Sequence, residues 1–377
     1  MSAQPDGLVA RSRNVRYIAG VDHLRGYAAI LMVVYHGVQQ IGRPEAPFPR
    51  VSNPLSALVV EGHTAVALFM VLSGFILTYG ADRSELRYGA FMKNRVLRVV
   101  PMYVVVVLVG LYTFPATYSS GGLLQFFTLQ ATPPLQSVDL HEWSAVLWTI
   151  SVEFAFYLAF PFLLRFLQRM GLRYVFGLLL LTNVLRLMAA ESNPASVRDM
   201  SYFTIVGRID QFVLGMAAAW VLRRGMVRWR RGAAAGVCAA AFVGVCLALW
   251  VFNRNGSFFG TPRWKAVWPP LEGGLWALFV LAYVVATQGW AGRAARWLAL
   301  PGVVSYSAYL LHYPLVRLVA DRHWHLMGSE LTNGAVSTLV LVLPATFALA
   351  TLGYLVIERP FMQMRVRYLT TPTDAPG

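Results

Sequence analysis

The 377-residue sequence predicts an all-α protein, a polytopic transmembrane bundle of about ten spans with both termini in the cytoplasm. Three observations predict it. Hydrophobic residues make up 57% of the chain and charged residues 13%, with a mean hydropathy of +0.54, whereas soluble domains carry about 25% charged residues. Apolar runs of about 20 residues, the length that crosses a hydrocarbon core of roughly 30 Å, recur along the whole chain. The 32 Lys and Arg outnumber the 17 Asp and Glu, for a net charge of +15, and they gather in alternate connections between those runs.

In chain order the spans fall at residues 24–42, 61–80, 97–114, 144–166, 172–190, 201–222, 233–252, 271–289, 300–320 and 335–357. Residues 1–16 form a polar cytoplasmic N-terminal tail, 17–362 one transmembrane domain, and 363–377 a cytoplasmic C-terminal tail. No small-residue cleavage site follows the first apolar run, which is read as a retained helix and not as a signal peptide. The longest gap, 115–143, is polar, carries proline and has room for a short helix. Lys and Arg number 21 in the tails, the even-numbered loops and the span ends beside them, against 7 in the odd-numbered loops, so the positive-inside rule puts both tails in the cytoplasm.

A charge of +15 on a soluble protein would suggest nucleic acid. No nucleic-acid-binding motif accompanies it here, and basic residues between apolar runs, those at 223–231 above all, anchor a membrane protein against anionic lipid. Cys238 and Cys246 lie in one apolar run and suit packing, not a disulfide framework or a metal cluster. Gly236, Ala240 and Gly244, four residues apart, suit a helix-packing face.

Ionisable side chains within a span cost roughly 3 kcal/mol or more each and face a bundle interior. At about 1.5 Å per residue, His36 lies about 16 Å from Arg25 along the first span. Glu153, Asp210 and His312 arrive from the fourth, sixth and ninth spans in the same broad layer. A carboxylate near an imidazole raises its basicity or orients it, as a general base requires. Each group alone equally suits a buried hydrogen bond between helices. Arg25, beside Asp22 near the cytoplasmic face, suits either an ion pair with Asp22 or an anchor for an anionic ligand. Arg95 and Arg98 share a helical face, and Pro101 is set to kink the third span. Such a collar suits phosphate groups and equally suits positive-inside anchoring. Ser73 and Gly74 form a small pair in mid-span where a helix or a ligand can approach closely. His63, His141, His323 and His325 lie at or beyond span ends, with no spacing that suits a metal.

Several segments carry a further signal. The first span reads Asp22-His23-Leu24-Arg25-Gly26, with His36 eleven positions after Arg25. It is followed by Phe69 to Phe75 around Leu72-Ser73-Gly74, by Arg95, Arg98, Pro101 and Tyr103, and by Trp148-Thr149-Ile150-Ser151-Val152-Glu153. Later come Arg208-Ile209-Asp210-Gln211-Phe212 with Gly215, then Tyr306 to Pro314 around His312, then Glu358-Arg359-Pro360. In this order they resemble the acyltransferase-3 family of membrane-bound O-acyltransferases over residues 17–362. Phe154 stands where many members have a second acidic residue. The chain stops about 15 residues after Pro360, whereas some members add a further span and an esterase-like domain, so a periplasmic step is expected to use a partner protein.

The resemblance implies an acyltransferase that moves an acyl group, usually acetyl, from cytoplasmic acyl-CoA to a sugar hydroxyl of an envelope or exported glycan such as a polysaccharide or lipopolysaccharide. It implies His36 as general base with Glu153 supporting it. Arg25, Arg95 and Arg98 are expected on donor phosphates, and Asp22, Ser73, Arg208, Asp210 and His312 as further pocket residues. No metal or resident cofactor is expected; acetyl-CoA or another acyl-CoA is a substrate, and the acceptor is a carbohydrate or lipid-linked glycan. The main rival is a transporter or flippase of an acyl group or lipid-linked sugar, since buried His, Asp, Glu and Arg also form proton relays. A sensor or scaffold ranks last. The basic residues are almost all Arg, with Lys only at 93 and 265, which suits a GC-rich bacterial genome; the expected location is integral to the bacterial cytoplasmic (inner) membrane.

Overall fold

The computed structural model describes residues 14, 17–42, 49–117, 119–130, 145–324, 326–327 and 329–370. Its helices are α1 (Ala19–Gly42), α2 (Pro54–Val60), α3 (Thr64–Ala81), α4 (Tyr88–Thr113), α5 (Ser120–Phe127), α6 (Trp148–Met170), α7 (Leu172–Ser192) and α8 (Val197–Phe203). They continue with α9 (Ile205–Arg223), α10 (Arg231–Arg254), α11 (Trp268–Ala286), α12 (Arg293–Val303), α13 (Ser305–Asp321), α14 (Glu330–Ser337), α15 (Leu343–Gly353) and α16 (Arg359–Gln363). Two π-helical turns, Thr338–Val342 and Tyr354–Glu358, join the last three into one stretch. Two short strands, β1 (Glu85–Leu86) and β2 (Leu369–Thr370), pair antiparallel with Glu85 opposite Thr370.

Eight helical stretches are long and apolar enough to cross a membrane: α3, α4, α6, α7, α9, α10, Arg263–Ala286 and Glu330–Gln363. The first and ninth expected spans are helical as well, but less apolar or shorter. α1 carries Asp22, His23, Arg25, His36 and two glutamines, while the 300–320 segment breaks at Val304 between α12 and the 17-residue α13. The expected span at 201–222 also breaks, at Thr204, whose hydroxyl accepts from Gly207 N and starts α9. The short helix expected in the 115–143 gap is α5, capped by Ser119; residues 131–144, and with them His141, lie outside the described residues, as does His325.

Burial separates two classes of helix. α3 is apolar all round and buried on nearly every face, with α9, α11 and α1 packed about it, as a helix at the centre of a bundle must be. α7 and α10 sit outside, exposing Phe176, Leu180 and Leu181, and Val243, Leu247 and Val251. A belt of such side chains is stable against hydrocarbon, not water. α3 and α9 pack backbone to backbone: a Cβ on Gly74 would collide with the Phe212 carbonyl, and one on Gly215 with the Val71 carbonyl. The packing face expected at 236–244 is discontinuous. A Cβ on Gly236 would meet open space, and only Gly244 lies against a neighbour, Leu275.

Residues 364–370, at the start of the segment read as a C-terminal tail, pack against the bundle. Asn94 donates from Nδ2 to the Val366 carbonyl (2.7 Å) and accepts from Val366 N (2.9 Å). Asn14 donates to the same carbonyl (3.0 Å) and accepts from Tyr368 N (2.7 Å). The two ends of the described chain thus meet at one end of the bundle, stitched to the start of α4.

Candidate functional site

A cavity of about 840 Å³ begins among Asn14, Tyr17, Arg365 and Tyr368 and reaches Val66, Thr149 and Tyr309 further along the helices. Five arginines line it, namely Arg25, Arg95, Arg98, Arg359 and Arg365, against two carboxylates, Asp22 and Glu153. The sequence-predicted Arg25, Arg95, Arg98, Asp22, Ser73 and Glu153 therefore share one wall system, although they come from α1, α3, α4 and α6.

Their charges are answered unequally. Arg25 lies 3.9 Å from Asp22, one helical turn earlier. Arg98 pairs with Glu358, and its Nη1 also approaches Met362 Sδ at 2.9 Å. The π-helical turn at 354–358 turns Glu358 inward, where it also accepts from Ser307. Arg95 stacks its guanidinium over Phe91 (5.4 Å) and Tyr157 (5.5 Å), and its buried Nε has no hydrogen-bond partner among the described residues. Arg365 donates from Nε to the Met362 carbonyl at 2.9 Å. Burial, with Arg98 and Arg95 beside it, pulls its guanidinium down to about 10, still a cation at neutral pH.

Glu153 accepts from Ser73 Oγ (2.8 Å) and from Tyr157 OH (2.5 Å). Its hydroxyl partners make it a junction between α3 and α6 inside the cavity. The structure does not bring it to His36. The imidazole partner of His36 is His312, with Nδ1 of His36 2.8 Å from Nε2 of His312 and the rings stacked at 5.1 Å. Tyr313 closes on His36 edge-on at 5.1 Å. His312 is fully buried, and its Nδ1 lies 2.6 Å from the Tyr309 carbonyl.

Those contacts fix the protons of the neutral pair. A carbonyl oxygen only accepts, so Nδ1 of His312 carries hydrogen and its Nε2 is a lone pair. That lone pair accepts from Nδ1–H of His36, which leaves Nε2 of His36 without a proton. The pair does not line the cavity, but Tyr309 does, with its ring 5.7 Å from that of His312. Tyr309 thus stands between the cavity's far end and the histidines.

Asp210 and Arg208 join neither group. Asp210 is paired with Arg186 (2.5 Å) and accepts from Thr182 (2.6 Å), all buried. Arg208 stacks on Tyr202 at 3.9 Å, donates to Gln211 and lies 3.5 Å from Glu272. The expected common layer of His36, Glu153, Asp210 and His312 therefore resolves into three separate clusters. His63 is buried and 3.0 Å from Glu61. Among the described residues, no group of three or more His, Cys, Asp or Glu could hold a metal ion. The sequence carries one further signal for the site: Tyr157 lies four residues after Glu153, a helical neighbour by spacing alone. Glu358 stands in the Glu358-Arg359-Pro360 segment of the family resemblance, whereas Arg365 has no comparable signal.

A family model for an acyltransferase domain matches residues 18–355. The chain belongs to the acyltransferase-3 family. Similar proteins include the acyltransferase MdmB of Streptomyces mycarofaciens, 25% identical over 93% of this chain and 94% of that protein. The peptidoglycan O-acetyltransferase OatA of Listeria monocytogenes is 25% identical over 92% of this chain and 56% of its own length. The O-acetyltransferase OatA of Staphylococcus aureus is 23% identical over 92% and 57%. The chain thus spans nearly all of MdmB and little more than half of the OatA relatives. No solved structure matches it. As a family member it is an acyltransferase whose helices cross a membrane.

Proposed function

We propose that this acyltransferase moves an acyl group, acetyl first, from acyl-CoA at the cytoplasmic end of the bundle to a hydroxyl of an envelope or exported glycan. The hydrogen-bond order from the Tyr309 carbonyl through His312 to His36 carries this reading. It leaves His36 Nε2 as a base, and it stabilises the imidazolium, because Nδ1–H keeps its acceptor when Nε2 gains a proton. The acceptor oxygen bonds to the acyl carbon as its proton passes to Nε2. The carbon–sulfur bond then breaks, and the thiolate takes that proton and leaves as free CoA. His36 is the catalytic residue in this reading, and His312 positions it in the role that the family resemblance implies for Glu153.

The arginine-rich end of the cavity suits the phosphates of a CoA donor. The meeting of Asn14 with residues 366–368 there supports an even number of crossings between them, for which α1 and α13 complete ten. The charge distribution supports placing that end in the cytoplasm of a bacterium, at its inner membrane. OatA relatives support a glycan acceptor. Acceptor chemistry at the far side is assigned to the glycan itself or to a periplasmic partner that takes the group onward. The test is purified protein incubated with radiolabelled acetyl-CoA and an envelope glycan extract. Label on the glycan in proportion to protein supports the reading; label that stays on CoA under all conditions overturns it.

A further inference from the structure

We propose that the C-terminal strap, residues 364–370, belongs to the donor site, and that Arg365 on it binds a phosphate group of the donor together with Arg95. The inference rests on the acyl-CoA reading above and adds to it a residue outside the 18–355 segment that matches the family.

Of the five cavity arginines, Arg98 has Glu358 and Arg25 has Asp22. Arg95, Arg359 and Arg365 have no carboxylate at ion-pair distance among the described residues. Guanidinium groups gathered on one wall repel each other and gain from an anion placed among them. The buried Nε of Arg95, with no hydrogen-bond partner among the described residues, is a donor open to such a ligand. Phosphate suits this wall best, since a guanidinium meets it with two parallel hydrogen bonds.

Arg365 is held in place, not carried on a loose end. The residue after it, Val366, is bonded through both backbone groups to Asn94 and through its carbonyl to Asn14. Tyr368 is buried against Phe91 with ring centroids 5.4 Å apart, and it lines the cavity beside Arg365. Phe91 also carries the guanidinium of Arg95 on its ring. One aromatic side chain therefore sets the spacing between the strap and Arg95. Pairing of β2 with β1 fixes the far end of the strap.

The experiment compares two donors, acetyl-CoA and acetyl-pantetheine, which carries the thioester without phosphates, in wild-type protein and in Arg365→Ala and Arg365→Lys variants. Loss of Arg365 raises the KM for acetyl-CoA at least ten-fold, leaves kcat within about two-fold, and leaves kcat/KM for acetyl-pantetheine unchanged; Lys restores some of the acetyl-CoA affinity. Equal losses with both donors mean a structural role, and no change with either means an idle residue; both overturn the inference while the acyl-CoA reading stands. Wild-type protein that uses neither donor overturns both. Asn94→Ala, which frees Val366, raises the acetyl-CoA KM in the same direction, and an unchanged KM there removes the strap from the donor site.

Discussion

The pairing of His36 with His312 is a fact about two residues 276 positions apart, and its consequences are testable at that scale. Replacing His312 with Phe keeps a ring against His36 but removes the acceptor of Nδ1–H. Because general-base catalysis contributes about 10²–10⁴-fold, kcat should fall about 100-fold with donor KM unchanged. His312→Gln, whose amide can still accept, should recover some of that loss; steady-state kinetics on both variants checks this, and equal activity in wild type and His312→Phe would contradict it. Single residues are the most legible feature of the site: Glu153 and Ser73 stand out as polar groups in mid-span, Arg25 and Arg95 as cations at the cytoplasmic edge, and all four line the cavity. Their partners are not legible, since spacing along one helix says nothing about which other helix supplies the acceptor. Glu153 turns to Ser73 and Tyr157, and Asp210 to Arg186, for that reason.

Helices carry the predictions about stability. α9 leans on α3 through Gly215 against the Val71 carbonyl, so Gly215→Val must force the backbones of both helices away from each other. Overpacking costs about 1–3 kcal/mol where side chains can yield; here the obstacle is main chain, and the expected result is loss of most folded protein by size-exclusion chromatography. α7 is tied to α9 by Arg186 and Asp210, both buried. Asp210→Ala leaves that guanidinium uncompensated and should cost about 3–5 kcal/mol, read as a lower melting temperature, with donor KM unchanged in the protein that remains folded. The ends of helices, unlike their centres, are hard to read from sequence wherever a helix carries polar residues inward. α4 begins at Tyr88, not at 97, because Asn94, Arg95 and Arg98 face the cavity and strap; a hydropathy ruler counts such a turn as loop. The same effect hides the start of α1 around Asp22 and separates residues 364–370 from the domain they pack against.

Over the whole molecule, a ring of apolar helices encloses one polar seam that runs from the chain ends, through the arginines and Glu153, to Tyr309 and the histidine pair behind it. An anionic donor at one end and a hydroxyl acceptor at the other suit that polarity. The bundle is legible in the sequence because lipid imposes a simple rule on length and apolarity; the seam is tertiary and has no such rule. In the proposed reaction Nε2 of His36 takes the acceptor proton. It is tested most directly by the rate of labelled acetyl transfer in purified His36→Ala and His36→Gln proteins whose melting temperatures match wild type. A general base at His36 requires loss of transfer in both, with acetyl-CoA binding retained; turnover near the wild-type rate in either variant would rule that role out.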